Sequence, residues 1–254
     1  MSNPVGTLTL FKRETFRFLK VWQQTLLAPV ISNLLYFAIF GLSLRSSMES
    51  FDGVPYLAFL APGLIIMGII NNSFANPSSS IIIMKYQGLI SDLMIVPLKR
   101  IELLLAFISS AVLRGLLVGT MTYLTAIFFV DFTYNSIPII LLSSILVALF
   151  FSFLGLMIGI WAEEFDRTAF VQNFVLLPLI FLGGVFYPVS TLPGVFAKIS
   201  AFNPIVHMIN LLRYGFTGML EYPISVSLSV VGVGTIFAGF LAYYLLRIGY
   251  KLQN

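Results

Sequence analysis

The sequence predicts an all-α integral membrane protein with six transmembrane helices, an N-terminal amphipathic helix at the interface, and two short re-entrant outer helices before the last span. Three observations predict it. Of 254 residues, 59% are hydrophobic and 9% charged, with a mean hydropathy of +0.99, against about 25% charged in an ordinary soluble domain. Apolar runs without Asp, Glu, Lys or Arg lie between Lys20 and Arg45, Asp52 and Lys85, Arg114 and Asp131, Asp131 and Glu163, Arg167 and Lys198, and Glu221 and Arg247, and they suit a hydrocarbon layer about 30 Å thick. Met84 to Glu102, MKYQGLISDLMIVPLKRIE, is a polar island between two hydrophobic segments, so it belongs in water or among headgroups. A single membrane domain, 1–254, covers the chain.

Residues 5–22 form the interface helix. At 3.6 residues per turn, Leu8, Phe11, Phe18, Leu19 and Trp22 share one side and Arg13, Arg17 and Lys20 the other, a pattern for a helix lying in the membrane plane with basic groups toward anionic lipid. A charged leader to the first span is the alternative. The opening is too polar for a cleaved signal peptide, so the N-terminus is expected to be retained. The first span covers Leu26 to Leu44, with Pro29 near its start, where a missing N–H costs least. Arg45 to Pro55, carrying Arg45, Glu49 and Asp52, is a polar exit loop.

The second span starts near Tyr56 and carries Asn71, Asn72, Ser73, Asn76, Pro77 and Ser78 to Ser80. Buried amides need partners, so this run faces other helices or a hydrated path. Leu103 to Val130 is the third span and holds Arg114, a charge that must pair or snorkel; contact with cargo is the competing reading. After the turn Asp131 to Ser136 comes the fourth span, Ile137 to Trp161, where Gly155 and Gly159 allow a close helix approach. Glu163, Glu164, Asp166 and Arg167 make a hydrophilic turn before the fifth span, Thr168 to Val185. Across 186–221, Pro188, Pro193 and Pro204 break the helix into pieces too apolar for water. Two short helices dipping into the outer leaflet satisfy both facts if protein or water covers their ends. Ser225 to Leu246 is the last span.

With an inside N-terminus and six spans, inner segments hold Lys12, Arg13, Arg17, Lys20, Lys85, Lys99, Arg100, Arg167, Arg247 and Lys251, and outer segments only Arg45, Lys198 and Arg213. The positive-inside bias places both termini in the cytoplasm. Zero cysteines exclude disulfides and thiolate metal sites. His207 is the one histidine, so no histidine cluster for zinc exists, and Glu163, Glu164 and Asp166 read as a turn. There is no GxxxxGK[ST] phosphate loop, hence no catalytic or cofactor site, and energy must come from a partner or an ion gradient. The acidic residues lie near predicted helix ends and no internal repeat emerges, which disfavours ion coupling. The formal charge of +4 carries no signal for nucleic acid.

Three segments carry a family resemblance. One is Lys85, Tyr86, Gln87, Gly88, Leu89, Asp92, Leu93, Val96, Pro97, Leu98 and Glu102. Another runs through Leu182, Gly183, Gly184, Val185, Phe186, Tyr187, Pro188, Leu192, Pro193, Asn203, Pro204, His207, Arg213 and Gly218. The third is the basic amphipathic start followed by Pro29. Together they resemble the membrane subunit (permease) of a type-2 ABC transporter, of the compact six-span bacterial exporter class. The family's acidic residue before the glycine is Gln87 here, and its glutamate within the short helix is Asp92.

The resemblance implies a homodimer of the permease with two copies of a separate nucleotide-binding ATPase, where ATP and magnesium are expected, in the bacterial cytoplasmic (inner) membrane among membrane lipid. It implies a cytoplasmic coupling region at 84–100, with Gln87, Gly88, Leu89, Asp92, Leu93 and Val96 meeting the ATPase. Leu89, Leu93 and Val96, at i, i+4 and i+7, would form the docking face, with packing on the permease's own bundle as the alternative. Asn71, Asn72, Ser73 and Asn76 become candidates for the translocation path, and Tyr187, Pro188, Asn203 and Pro204 for an outer gate. The expected function is export of an amphipathic, lipid-linked or drug-like substrate, with an ion-gradient-driven membrane carrier or channel as the alternative.

Overall fold

In the computed structural model the chain is described over residues 3–43, 50–51 and 53–251; Arg45, Glu49 and Asp52, expected in the exit loop, lie outside the described residues. Helix α1 (Pro4–Lys20) begins where the Asn3 side chain accepts the Gly6 N–H and Pro4 occupies the first turn. A π-turn (Gln23–Leu27) leads into α2 (Ala28–Ser43). A small antiparallel pair, Ser50–Phe51 with Val54–Pro55, precedes α3 (Tyr56–Tyr86). Next come α4 (Ile90–Ile95), α5 (Arg100–Ala126) and α6 (Ile137–Trp161). They are followed by α7 (Phe165–Phe170), a second π-turn (Val171–Leu176), α8 (Leu177–Phe181), α9 (Gly194–Ala201), α10 (Pro204–Thr217) and α11 (Ile224–Ile248).

Among the described residues, five segments are long and apolar enough to cross a membrane: Gln23–Phe40, Tyr56–Tyr86, Arg100–Ala126, Ile137–Trp161 and Ile224–Ile248. The expected fifth span, Thr168 to Val185, is not a sixth such helix. Its helical residues run from Phe165 to Phe181 in three pieces, about 25 Å at 1.5 Å per residue. The helix runs on through Pro178, whose missing N–H is absorbed by a widened turn ending two residues before it, just as the first π-turn ends two residues before Pro29; the stretch stops at Phe181, ahead of the Gly183–Gly184 turn where Gly184 takes a φ of +80°. Helices α9 and α10 bend by 81° across their break, which gives the 186–221 region the broken-pair geometry that its prolines predict.

Helix α3 is the hub, packing extensively on α5 and α6 and also on α10. Glycine makes that closeness possible. A Cβ on Gly155 would overlap the Phe74 carbonyl oxygen, one on Gly159 would lie 2.9 Å from the Ser78 Cα, and one on Gly119 would lie 2.6 Å from the Ile69 side chain. Two apolar cores result. One surrounds Phe59, Phe74, Phe151 and Phe216; the other joins Leu10, Met84, Ile90, Leu93, Leu103 and Leu246.

Polar bonds close the two ends of the bundle. At one end the Lys85 ammonium donates to the carbonyls of Ile160 and Ala162, at the C-terminus of α6 where a cation is favoured. Lys251 pairs with Glu163 at 2.6 Å, Glu163 with Arg167 at 3.2 Å, and the Glu102 carboxylate accepts from the backbone N–H groups of Asn3 (2.7 Å) and Lys99 (2.8 Å). At the other end the Ser136 N–H donates to the Gly215 carbonyl at 2.9 Å and the Tyr56 hydroxyl to the Phe186 carbonyl at 3.2 Å.

A leucine at 155 has no room against the α3 backbone, whereas a leucine at 232 meets open space. Gly155→Leu is therefore expected to destabilise by at least the roughly 1–3 kcal/mol of an overpacked core, and Gly232→Leu by little. Thermal unfolding of both variants in the same detergent measures the difference.

Candidate functional site

Three groups of residues assemble from this fold. The first is the polar island. Helix α3 ends with the Leu89 N–H bonded to the Met84 carbonyl at 2.8 Å, and Gly88 takes the left-handed φ of +71° that the turn requires. Helix α4 follows, and Val96 leaves it in an extended conformation before Pro97. Ile90 and Leu93, three residues apart, turn inward and join Leu10, Met84 and Leu103. Gln87, Gly88, Leu89, Ser91, Asp92 and Val96 are exposed, and Tyr86 and Ile95 are 86% and 80% exposed.

Of the expected face, Leu89 and Val96 are exposed, while Leu93 takes the alternative of packing on the chain's own bundle. Leu93 anchors α4 to the bundle, and the outward surface centres on Asp92 and Ile95. One turn that is apolar on nearly every side does not reveal which side is buried; only the cluster around Leu10 decides it.

The second group is the polar run of α3. Asn72, Ser73 and Asn76 are buried and Asn71 half-buried. The Asn71 and Asn72 amides donate to the Met67 and Gly68 carbonyls at 3.0 and 3.1 Å, and Asn76 donates to the Ser110 hydroxyl at 3.2 Å. Arg114 Nε donates to Asn72 Oδ1 at 3.2 Å, which gives the intramembrane arginine a neutral partner. Arg17 leaves the outward basic side predicted for α1: its Nη2 reaches the Asn76 carbonyl at 2.8 Å and Oδ1 at 2.9 Å, and its Nη1 the Ser79 hydroxyl at 3.3 Å.

The reason lies one turn back. Glu14 is 1% exposed and pairs with Arg13 at 2.8 Å and Arg17 at 3.1 Å, so Leu10, Glu14 and Phe18, at i+4 spacing, form the buried stripe of α1. Leu8, Leu19 and Trp22, placed together on the apolar side, are exposed and suit lipid.

The third group is the outer tract. Arg213 is 2% exposed; it pairs with Glu221 at 2.8 Å, donates to the Gly184 carbonyl at 2.7 Å and stacks 3.6 Å above the Phe59 ring. Glu221 accepts from the Val189 N–H at 2.7 Å. Asn210 Oδ1 accepts from the N–H groups of Glu221 (2.8 Å) and Tyr222 (3.2 Å). Arg213, counted among outer loop charges by sequence, is therefore an interior strut.

Asn203 caps α10 by accepting the Ile205 N–H at 3.0 Å and donates to the Leu179 carbonyl at 2.6 Å. Pro204 opens that helix, and the Tyr187 hydroxyl bonds the Phe181 carbonyl at 2.8 Å beside the buried Pro188. His207 meets the Ser227 hydroxyl at 3.2 Å. Among the described residues no group of His, Cys, Asp and Glu is arranged to hold a metal ion.

Sequence reading did not single out Glu14, Asn210, Glu221 or Ser227. An acid one turn from two arginines on a helix was the available signal for Glu14. The Arg213–Glu221 pair had none, because the left-handed Gly218 cap that folds the chain back is what brings the two together. On the opposite surface the Lys251 ammonium, with Arg167 beside it, holds the Glu163 carboxyl below the usual glutamate range. That tie is complete above the ordinary range and is lost as pH falls through the lowered value.

The ABC-2 type transporter family model matches residues 6–217. The inner membrane transport permease YadH of Escherichia coli (strain K12) is 36% identical over 250 residues, 98% of either chain. Nodulation protein J of Sinorhizobium fredii (strain NBRC 101917 / NGR234) is 27% identical over 257 residues, 97% of this chain and 94% of the relative. Nodulation protein J of Rhizobium leguminosarum bv. viciae is 28% identical over 226 residues, covering 85% and 84%.

Removing one member of a buried ion pair strands the other. Arg213→Met is expected to cost on the order of 3–5 kcal/mol, and adding Glu221→Gln to return part of it. Thermal melts of the single and double variants check this, and equal melts for Arg213→Met and the unaltered chain would remove the strut assignment.

Proposed function

Since the chain belongs to the ABC-2 type transporter family, and is thus a non-catalytic ABC permease subunit, we propose that it forms the membrane path of an ATP-driven exporter for amphipathic, lipid-linked or drug-like molecules. Family membership implies a separate ATPase and a possible permease dimer. In the proposed assembly two permeases and two ATPases work together, and ATP with magnesium binds in the partner.

The observation that carries the reading is the mounting of α4. Its inner face is locked into the core through Ile90 and Leu93, its outer face carries an exposed Ile95 beside Asp92, and its two flanking turns, at Gly88 and Pro97, lead directly into α3 and α5. A push on that surface moves the ends of the two most buried of the spanning helices. Because Glu102 bonds Asn3, the same push reaches α1. Lys85, Lys99, Arg100, Arg167 and Lys251 gather at this end, which supports a cytoplasmic placement of it, with both termini on the cytoplasmic side of the inner membrane.

Asn71 lies in line with Met67, Ala75 and Ser79 along the partly open stripe of α3 and is the first candidate for the wall of the path; Asn72, Ser73 and Asn76 support it from behind. For the outer gate, the bend at Asn203 and Pro204 and the turn at Tyr187 and Pro188 lie at the opposite end, where broken helices are tolerated when covered by protein. Sparse charge in the spans favours cargo with a large apolar part. An ion-gradient carrier would move substrate without any ATPase. ATP-dependent flux in liposomes containing the purified complex, absent when the permease alone is given an ion gradient, supports the exporter; the reverse pattern replaces it.

Ile95→Glu is expected to lower permease-stimulated ATP hydrolysis by about tenfold or more, as loss of a buried apolar anchor at an interface does, without changing the melting temperature of the permease. Leu93→Glu is expected to lower the melting temperature itself. Coupled ATPase assays and melts on both variants separate the outward from the inward side of α4.

A further inference from the structure

Between residues 58 and 82, every residue of α3 is buried except Met67, Asn71, Ala75 and Ser79. At i+4 spacing these four make one narrow open stripe along the hub of the bundle. Asn71 and Ser79 turn their side-chain donors back onto their own helix, to the Met67 and Asn76 carbonyls. Among the described residues, the one side chain of another helix hydrogen-bonded to this stripe is Arg17 of α1. It sits on the end nearest α4. Its Nη1 donates to the Ser79 hydroxyl at 3.3 Å, and its Nη2 to the adjoining Asn76, at the carbonyl (2.8 Å) and at Oδ1 (2.9 Å).

Attachment of α1 alone does not call for this seat, because Leu10 and Phe18 already bury an apolar side of the helix. Between those two lies Glu14, 1% exposed, whose carboxylate takes two arginines where charge balance asks for one. Arg13 bonds Glu14 Oε1 through Nε (3.3 Å) and Nη2 (2.8 Å), and Arg17 bonds Oε2 through Nε at 3.1 Å. Arg17 can therefore leave without stranding the acid, since Arg13 stays on it. Water then replaces its bonds to α3, so the exchange is close to balanced.

A hinge and a lever are both present. Val21 leaves helical geometry at φ −111° and ψ 37°, and beyond it the π-turn leads into α2. At its other end α1 is tied through Asn3 to Glu102, in the first turn of α5.

We propose that Arg17 is a latch closing the α4 end of the α3 stripe, and that α1 swings about Val21 to withdraw it when α4 is pushed. The latch deepens the exporter reading and rests on it in taking the stripe for the wall of the path. Seated, the guanidinium bars the stripe at Ser79, about 12 Å along the axis from Asn71. Directional bonds suit a latch: they weaken steeply once distance and angle are lost, so a small movement of α1 frees the side chain.

The chain has no cysteine, so Asn71→Cys supplies a single reporter on the stripe. In inside-out membrane vesicles carrying the full chain, the rate at which a membrane-impermeant maleimide labels that cysteine reads whether the α4 end is open. Adding Arg17→Gln is expected to speed labelling about tenfold, the scale of one charge-assisted contact. Adding Lys20→Gln, which removes an exposed charge from the same helix, is expected to leave the rate unchanged. Melting temperature confirms that each variant is folded. If Arg17→Gln is not, the double variant Glu14→Gln with Arg17→Gln, which removes the buried acid together with its partner, is expected to give the same acceleration.

Equal labelling with and without a folded Arg17 variant, or equal acceleration by Lys20→Gln, overturns the latch. ATP-driven flux by the complex is measured separately, with Asn71 in place. Faster labelling without such flux keeps Arg17 as the closure of the stripe and rejects the exporter. Flux with labelling indifferent to residue 17 keeps the exporter and rejects the latch.

Discussion

The structure depends on one constraint: in a bilayer core a polar group has no water to turn to, so each must find its partner within the protein. Helix α3 carries more such groups than any other span, and the bundle is built around supplying their partners. Local back-bonds satisfy the amides of Asn71 and Asn72, Ser110 of α5 accepts from Asn76, and Arg17 crosses from α1 to reach Asn76. The glycines of α5 and α6 let neighbouring backbones close over what remains. An amphipathic helix that would otherwise only float at the interface is drawn into the fold as part of this supply. Its buried Glu14 makes sense as the counter-charge that holds Arg17 in position.

The same end of the molecule holds the surface proposed to meet the motor, and its rigidity is distributed unevenly. Lys85 ties α3 to the end of α6, Glu102 ties α5 to the start of α1, and Lys251 ties the end of α11 to the α6–α7 turn. Between these clamps the inner side of α4 packs through Ile90 and Leu93. Apolar packing is non-directional and allows a short helix to slide or tilt where ion pairs and capping bonds do not. In the proposed assembly, a load at Ile95 passes through that apolar packing to the tied helix ends.

Much of the fold was legible in the sequence because its causes are local. Charge-free runs mark four of the long spans after the first, Gly155 and Gly159 mark a close crossing that α3 fills, and Pro188, Pro193 and Pro204 mark a broken segment. What was not legible depended on partners distant in sequence. Arg17 was assigned outward because helical periodicity ranks residues by polarity, and a polar face inside a membrane protein can be the buried one when the neighbouring span is itself polar. Leu93 was placed on the docking face, with packing on the bundle as the alternative, because α4 has only six residues, too short for periodicity to separate two apolar sides. Pro178 was visible, but the widened turn that absorbs it is a backbone response that no residue type announces.

The two intramembrane arginines show how similar side chains come to different ends. Arg213 is complete: a carboxylate, a carbonyl and an aromatic face occupy it on three sides, and Glu221 spends its second oxygen on the Val189 N–H. Such a group can hold the Gly183–Gly184 turn, α10 and the start of α3 in one relation, and it has nothing left to offer a ligand. Arg114 is held by one neutral amide oxygen and shares its surroundings with a second guanidinium. Both are costly to keep in an apolar medium, but only the first repays that cost within its own chain. The complete one braces the end of the bundle opposite α4, whereas the incomplete one lies midway along α5 and offsets its cost only by the one amide bond and by staying partly open.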